Sequence, residues 1–268
     1  MRRGLLAFLA ASMLTLGAGV AASPADAASQ VIVTPTGPQG WCWTQPCADT
    51  RPGGTVSFVA DPTAPGSPHH GALQLTTDLS TTAKAQAVHG TNTALANVNQ
   101  LSYWTKQVSG PVFADPAYQL AICANGVVAG ACGGFTTLVF EPYQNGVIIP
   151  GAWQYWDVAA GGRFWSTRTV TCSNGVLAGT PGGPATYTLA DVKALCPDAL
   201  VFQFIVNVGS NNPLYTVRTD LFDFNGTVYN FEPASATCDE QDNGGNDGNG
   251  DNNNCDGGDG QNESNNSD

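Results

Sequence analysis

Residues 221–231 read Leu221-Phe222-Asp223-Phe224-Asn225-Gly226-Thr227-Val228-Tyr229-Asn230-Phe231, two alternating aromatic-rich runs joined by Asn-Gly. A two-residue hairpin turn needs positive φ at both central positions, and Asn-Gly supplies it at least cost, so the stretch predicts a tight β-hairpin. The same rhythm recurs upstream, with short apolar or alternating runs bounded by Gly, Pro, Asn or Asp. These runs are Thr55–Ala60, Ala72–Thr77, Ala83–His89, Leu101–Lys106, Tyr118–Cys123, Phe135–Tyr143, Trp153–Val158, Leu200–Val208 and Val217–Phe224. Val, Thr, Phe, Tyr and Trp fill them, residues that suit a pleated, half-buried surface. Only Leu189–Leu195 looks helical, opened by a capping-box-like Thr188 and Asp191 and stopped by Pro197. The predicted class is all-β: a two-sheet antiparallel β-sandwich, jelly-roll-like, with one short helix.

The ends of the chain read differently from this body. Met1-Arg2-Arg3 precedes an apolar run from Gly4 to Ala22, and Ala25 and Ala27 are the small residues a signal peptidase requires, so residues 1–27 are expected to be a cleaved secretory signal peptide. From Cys238 to Asp268 there are nine acidic residues, no basic one and no sizeable apolar side chain. Nothing there offsets the entropy of ordering, which predicts a disordered acidic tail over 238–268. The sandwich domain is therefore expected over 28–237. That body carries 7 Lys and Arg against 11 Asp and Glu, with no basic stripe, so nucleic acid and anionic membrane are poor partners. No later window is apolar enough to span a bilayer, and no membrane attachment is expected after signal cleavage.

All eight cysteines lie beyond residue 27: Cys42, Cys47, Cys123, Cys132, Cys172, Cys196, Cys238 and Cys255. An even number in an exported chain points to disulfides, and about a hundred pairings are formally open. Nearest-neighbour pairing is the expectation, because Cys42 and Cys47, Cys123 and Cys132, and Cys172 and Cys196 each bracket turn-rich residues; Cys238 and Cys255 would close a loop in the tail. Zinc is disfavoured, since no Cys-x-x-Cys knuckle occurs and His69, His70 and His89 are not spaced with the cysteines.

No catalytic motif stands out. The histidines sit outside any nucleophile motif, and they read as loop side chains. Glu141 and Glu232 each follow a strand within Phe-Glu-Pro, which could pair them as acid and base or leave them as acceptors for turn amides. Aromatic residues are the better lead. In Trp153-Gln154-Tyr155-Trp156, alternation sends Trp153 and Tyr155 to one face and Trp156 to the other, so with Trp104 these rings are candidates for a flat saccharide-binding platform, against the alternative that they pack the core. Calcium is the candidate cofactor, at Asp220 and Asp223 on the hairpin or in the Asp- and Asn-rich tail.

Several segments together, Thr50-Arg51-Pro52-Gly53-Gly54-Thr55-Val56, Gly71-Ala72-Leu73-Gln74-Leu75-Thr76-Thr77, Leu101-Ser102-Tyr103-Trp104-Thr105, Phe135 through Tyr143, and Ala152-Trp153-Gln154-Tyr155-Trp156-Asp157, make the body from about Val33 to Glu232 resemble a group of exported bacterial proteins without an assigned role. The resemblance implies a jelly-roll-like sandwich similar to carbohydrate-binding modules, and it carries over no catalytic residue. The expected function is non-catalytic binding of a polysaccharide or cell-surface glycan by a secreted protein. A glycoside hydrolase-like enzyme and a structural envelope or matrix protein are the alternatives, since sandwiches host all three.

Overall fold

The computed structural model describes residues 30–66, 70–111 and 115–233. The expected signal peptide, the acidic tail and the pair Cys238 and Cys255 lie outside the described residues.

Two seven-stranded sheets pack face to face. The first is built around Thr216–Phe224, which has Leu101–Ser109 along one edge and, along the other, Gly71–Thr77 for its first half and Thr227–Phe231 for its second. Gly54–Ala60 and Gln154–Asp157 extend this sheet, and Val31–Val33 joins it in parallel beside Thr227–Phe231. The second sheet is antiparallel throughout, in the order Tyr187–Thr188, Arg163–Ser166, Phe135–Phe140, Ala117–Cys123, Leu200–Val208, Ala85–Ala94, Trp41–Cys42.

The Asn225-Gly226 hairpin forms, with φ of 54° and 89° at the two central residues. The strands Leu200–Val208 and Thr227–Phe231 and the helix Leu189–Leu195 fall where the sequence predicts, and the full capping box of Thr188 and Asp191 is in place. Phe135–Tyr143 is corrected: the strand stops at Phe140, because Pro142 has no N–H for the ladder and begins a helical turn, Pro142–Asn145. Strands too short or too irregular to show a period, such as Arg163–Ser166 and Val31–Val33, escape the sequence reading.

Alternation fills the interior between the sheets. Tyr118 stacks on Phe222 at 4.2 Å, Phe204 on Phe224 at 4.3 Å, and Trp41 meets Phe204, Phe222 and Phe231 edge-on. These rings are buried, and packing of this density contributes most of the stabilisation available to such a fold. The disulfides Cys42–Cys47, Cys123–Cys132 and Cys172–Cys196 join neighbours in sequence, as expected from their turns. No helix among the described residues is long and apolar enough to cross a membrane.

Candidate functional site

Cross-strand partners in a sheet point to the same face, so register alone identifies which side chains of the second sheet point away from the interior between the sheets. One row runs Trp165, Val139, Gln119, Ile205, Val88, and the next includes Ala117, Asn207 and Gln86. The intervening row, Phe140, Tyr118 and Val206, faces the core. A cleft of about 730 Å³ opens on the outer face, floored by Gln119, Thr137 and Val139 and edged by Trp165, Tyr143 and Asn207.

Two carboxyls also line this cleft. Asp115 lies just ahead of the strand Ala117–Cys123, and Glu141 just past Phe135–Phe140. Asp115 is only 8% exposed; its Oδ2 accepts from Thr105 Oγ1 at 2.6 Å, and burial pushes its pKa up to about 7. Glu141 Oε2 accepts from Trp165 Nε1 and Gln144 Nε2, both at 2.8 Å, which pins the indole at the cleft's edge. Three buried polar atoms of cleft residues, Asp115 Oδ1, Asn207 Oδ1 and the Tyr215 hydroxyl, have no protein partner. Buried polar atoms are nearly always paired, so three around one opening are unusual. Lys84, the cleft's cation, is held by Asp49 at 3.0 Å.

The predicted aromatic platform is divided by the fold. Trp156 points inward, is buried, and donates its Nε1 to Thr105 Oγ1 at 2.8 Å; it is a core residue and cannot serve as an exposed ring. Trp104 and Tyr155 are cross-strand partners on the outer face of the first sheet, tilted 53° with centroids 5.5 Å apart, and Tyr155 is 52% exposed. Trp153 is half-buried, with Lys106 Nζ 5.8 Å from its ring. Lys106 and Arg218 both pair with Asp61, whose burial opposes ionisation but whose bonds from the Thr63 hydroxyl, Lys106 and Arg218 together hold it well below the usual carboxylate range. Tyr155 also lines a smaller pocket of about 320 Å³ with Asp157, Lys193 and Asp223. Sequence reasoning does not single out Trp165, the ring in the larger cleft; its one signal is the alternation of inward Phe164 with outward Trp165 in a four-residue strand.

The proposed hairpin ligands separate as well. Asp223 Oδ1 accepts from the Gly226 amide at 2.8 Å, whereas Asp220 is fully buried and accepts from the Phe231 and Gly66 amides at 3.0 and 3.2 Å. A bulge at this point, with Leu221 at φ 45°, leaves Asp220 opposite Trp104 and Asp223 opposite Ser102 on the same outer face, so the two differ in burial and partners and not in face. Asp220 instead shares its surroundings with buried Asn230 and Glu232, and burial followed by the nearby Glu232 charge opposes its ionisation, raising its pKa to about 8 while the amide bonds lower it. Glu232 therefore belongs to the hairpin end and Glu141 to the cleft, so they do not pair across one groove. Among the described residues no three His, Cys, Asp or Glu side chains gather as metal ligands. His89 stacks on Phe204 at 4.6 Å and is structural; His70 is exposed, and His69 lies outside the described residues.

No protein-family model matches the chain, and no curated protein does. Among solved structures it is similar to the family 11 carbohydrate-binding module of the cellulosomal cellulase Lic26A-Cel5E of Clostridium thermocellum, with 12% identity and a TM-score of 0.40 over 73% of this chain and 91% of that one. A family 11 module from the same organism, in complex with a beta-1,3-1,4-mixed-linked tetrasaccharide, gives 14% identity and 0.39 over 71% and 91%. An exo-beta-agarase overlaps at 9% identity and 0.36, over 70% of this chain and 23% of its own. These overlays are too loose to transfer a ligand to this chain, so a functional reading has to rest on the residues of the cleft itself.

Proposed function

We propose that this is an exported saccharide-binding sandwich whose ligand, a polysaccharide or cell-surface glycan, lies in the cleft on the second sheet. The carrying observation is the combination of a fixed indole, Trp165, with three buried polar atoms that lack protein partners around one opening. A sugar ring offers an apolar face for the indole and a rim of hydroxyls for polar groups, which is the mixture such a site accommodates. Trp165→Ala should lose at least about 30-fold in retention on insoluble polysaccharides, about 2 kcal/mol. Equal retention of variant and parent would refute the reading.

A bound cation at the hairpin is a separate proposal. Asp220 Oδ2 and Asn230 Oδ1 both lie within about 3 Å of the point an added Cβ at Gly66 would occupy, Glu232 is near enough for its charge to oppose the ionisation of Asp220, and Asn230 Oδ1 has no protein partner. Two carboxylates with an amide oxygen suit a hard ion such as calcium, which would offset the burial cost of both charges.

A further inference from the structure

We infer that the glycan taken by this cleft is acidic, with a carboxylate or sulfate group met by Arg168 at the end of the cleft away from Glu141. The inference rests on the saccharide reading and names the class of ligand within it.

The disposition of the cations singles out Arg168. Arg51 and Lys84 pair with Asp49, and Lys106 and Arg218 pair with Asp61. Arg163 donates to the Thr186 carbonyl, and Lys193 to the Val98 carbonyl and Asn99 Oδ1. Among the described residues, Arg168 is the one Lys or Arg whose side chain has neither a hydrogen bond nor an ion pair, and it is exposed. Its guanidinium carbon lies 4.9 Å from the centroid of the Phe135 ring. A cation over an aromatic face is held by the ring's quadrupole, which leaves its N–H donors free for a further partner.

Both the backbone and the ring that seat this cation are fixed. The Arg168 amide donates to Thr136 Oγ1 at 3.0 Å, and its carbonyl accepts from Ser166 Oγ at 2.8 Å; Thr136 and Ser166 are buried. Phe135 rests against Phe202, with centroids 5.8 Å apart, and is still 36% exposed. Such a seat lowers the ordering cost that a long exposed side chain would otherwise incur on binding.

The strand register joins this seat to the cleft. Side chains alternate along Phe135–Phe140, so Phe135 shares the face of Thr137 and Val139, which floor the cleft. Trp165 is opposite Val139, and the Thr167 amide donates to the Thr137 carbonyl at 3.0 Å, so the chain from the indole to Arg168 follows the cleft floor. Phe135 stands about 13 Å from Val139 along the strand, room for more than one sugar ring between the indole and the guanidinium. Glu141 and Asp115 lie past the other end of that floor, where Phe140 is opposite Tyr118. An anionic group is therefore favoured at the Arg168 end and disfavoured at the opposite one, which gives the bound chain a direction. A guanidinium meets a carboxylate by two parallel N–H bonds, and a sulfate ester offers similar oxygens.

The test uses the full exported chain and measures affinity by calorimetry at low ionic strength for polygalacturonate, a sulfated galactan and neutral mixed-linkage β-1,3-1,4-glucan. One of the two acidic polymers should bind at least about 10-fold more tightly than the glucan, and which one it is separates carboxylate from sulfate; added salt should erode the difference. Arg168→Gln should lose about 10-fold on the acidic polymer and change affinity for the glucan less than about twofold. Arg168 is exposed, so the variant's melting curve should match the parent's. Equal affinity for all three polymers, or an acidic preference that Arg168→Gln leaves intact, would overturn the inference while the saccharide reading stands. Failure of every polymer to bind would remove both.

Discussion

Asp115 and Asp220 are both buried acids whose carboxyls burial drives toward the protonated form, yet their surroundings differ. Asp220 is enclosed, with two backbone amides on its oxygens and the close approach of Gly66, where an added Cβ would lie 2.8 Å from Oδ2. Asp115 has a single hydroxyl partner and an open cleft beside it. Burial alone therefore does not mark a ligand site; an unmatched polar atom beside open volume does. The two outer faces repeat the lesson. On the first sheet Trp104 and Tyr155 lean on each other and the neighbouring charges are paired, while on the second sheet Trp165 edges a cleft with polar atoms left over.

The largest expected effect separates the two aspartates. Each has a folded pKa above its unfolded value of 3.8, so its contribution to stability is fully present below about pH 4 and is lost as pH rises toward 7 for Asp115 and 8 for Asp220. At about 1.4 kcal/mol per unit, the cost at Asp220 is of the order of 5 kcal/mol at pH 8 and beyond. Melting temperatures should fall between pH 5 and 8 in the presence of a chelator. Calcium should restore much of the loss, and Asn230→Ala should blunt that rescue. A melting temperature indifferent to calcium at pH 8 would show that the hairpin holds its carboxylates without a cation.

The crosslinks sharpen the contrast between the sheets. Cys42 and Cys123 lie in strands of the cleft-bearing sheet, and Cys172–Cys196 ties an adjoining hairpin to the helix end, while no disulfide among the described residues lies in the other sheet. Replacing Cys172 and Cys196 by Ala opens a loop of 24 residues and should cost about 3 kcal/mol in chemical denaturation. A loss under about 1 kcal/mol would mean the unfolded chain gains little from that staple.

The next contrast is between rings. Trp104→Ala and Tyr155→Ala should each change polysaccharide retention less than twofold, against the loss of about 30-fold expected for Trp165→Ala. The reverse order would return the binding face to the first sheet, where the sequence alone puts it.

That the sequence does not point to Trp165 has a physical origin. Strand existence is legible because alternation at period two is local, and the Asn225-Gly226 turn and the Thr188 cap are properties of a few adjacent residues. Which outward ring meets a cleft depends on neighbours brought from elsewhere: Trp165 acquires its role from Glu141, 24 residues earlier in the chain. Asp115 escapes notice in the sequence because it precedes its strand across Pro116, outside any alternation, and it meets Thr105 only once the two sheets have packed. The bulge at Leu221 has a similar effect: a spacing of three would set Asp220 and Asp223 on opposite faces of a regular strand, yet the bulge leaves both on the outer face, Asp220 enclosed and Asp223 half-buried.

The smallest effect concerns the helix, which stands apart from the larger cleft and contributes Leu189, Ala190 and Lys193 to the smaller pocket. Its capping box is complete: Thr188 Oγ1 accepts from the Asp191 amide at 3.1 Å, and Asp191 accepts from the Thr188 amide at 2.8 Å. Seven residues are too few to sustain a helix alone, so the cap adds to the packing of buried Leu189 and Val192. Thr188→Ala should cost about 1 kcal/mol and lower the melting temperature by about 2–4 °C. Retention on polysaccharide should not move, because no residue of this helix lines the cleft with Trp165. A cap variant that lost binding in proportion to stability would instead mean that the helix and the cleft-bearing sheet open together.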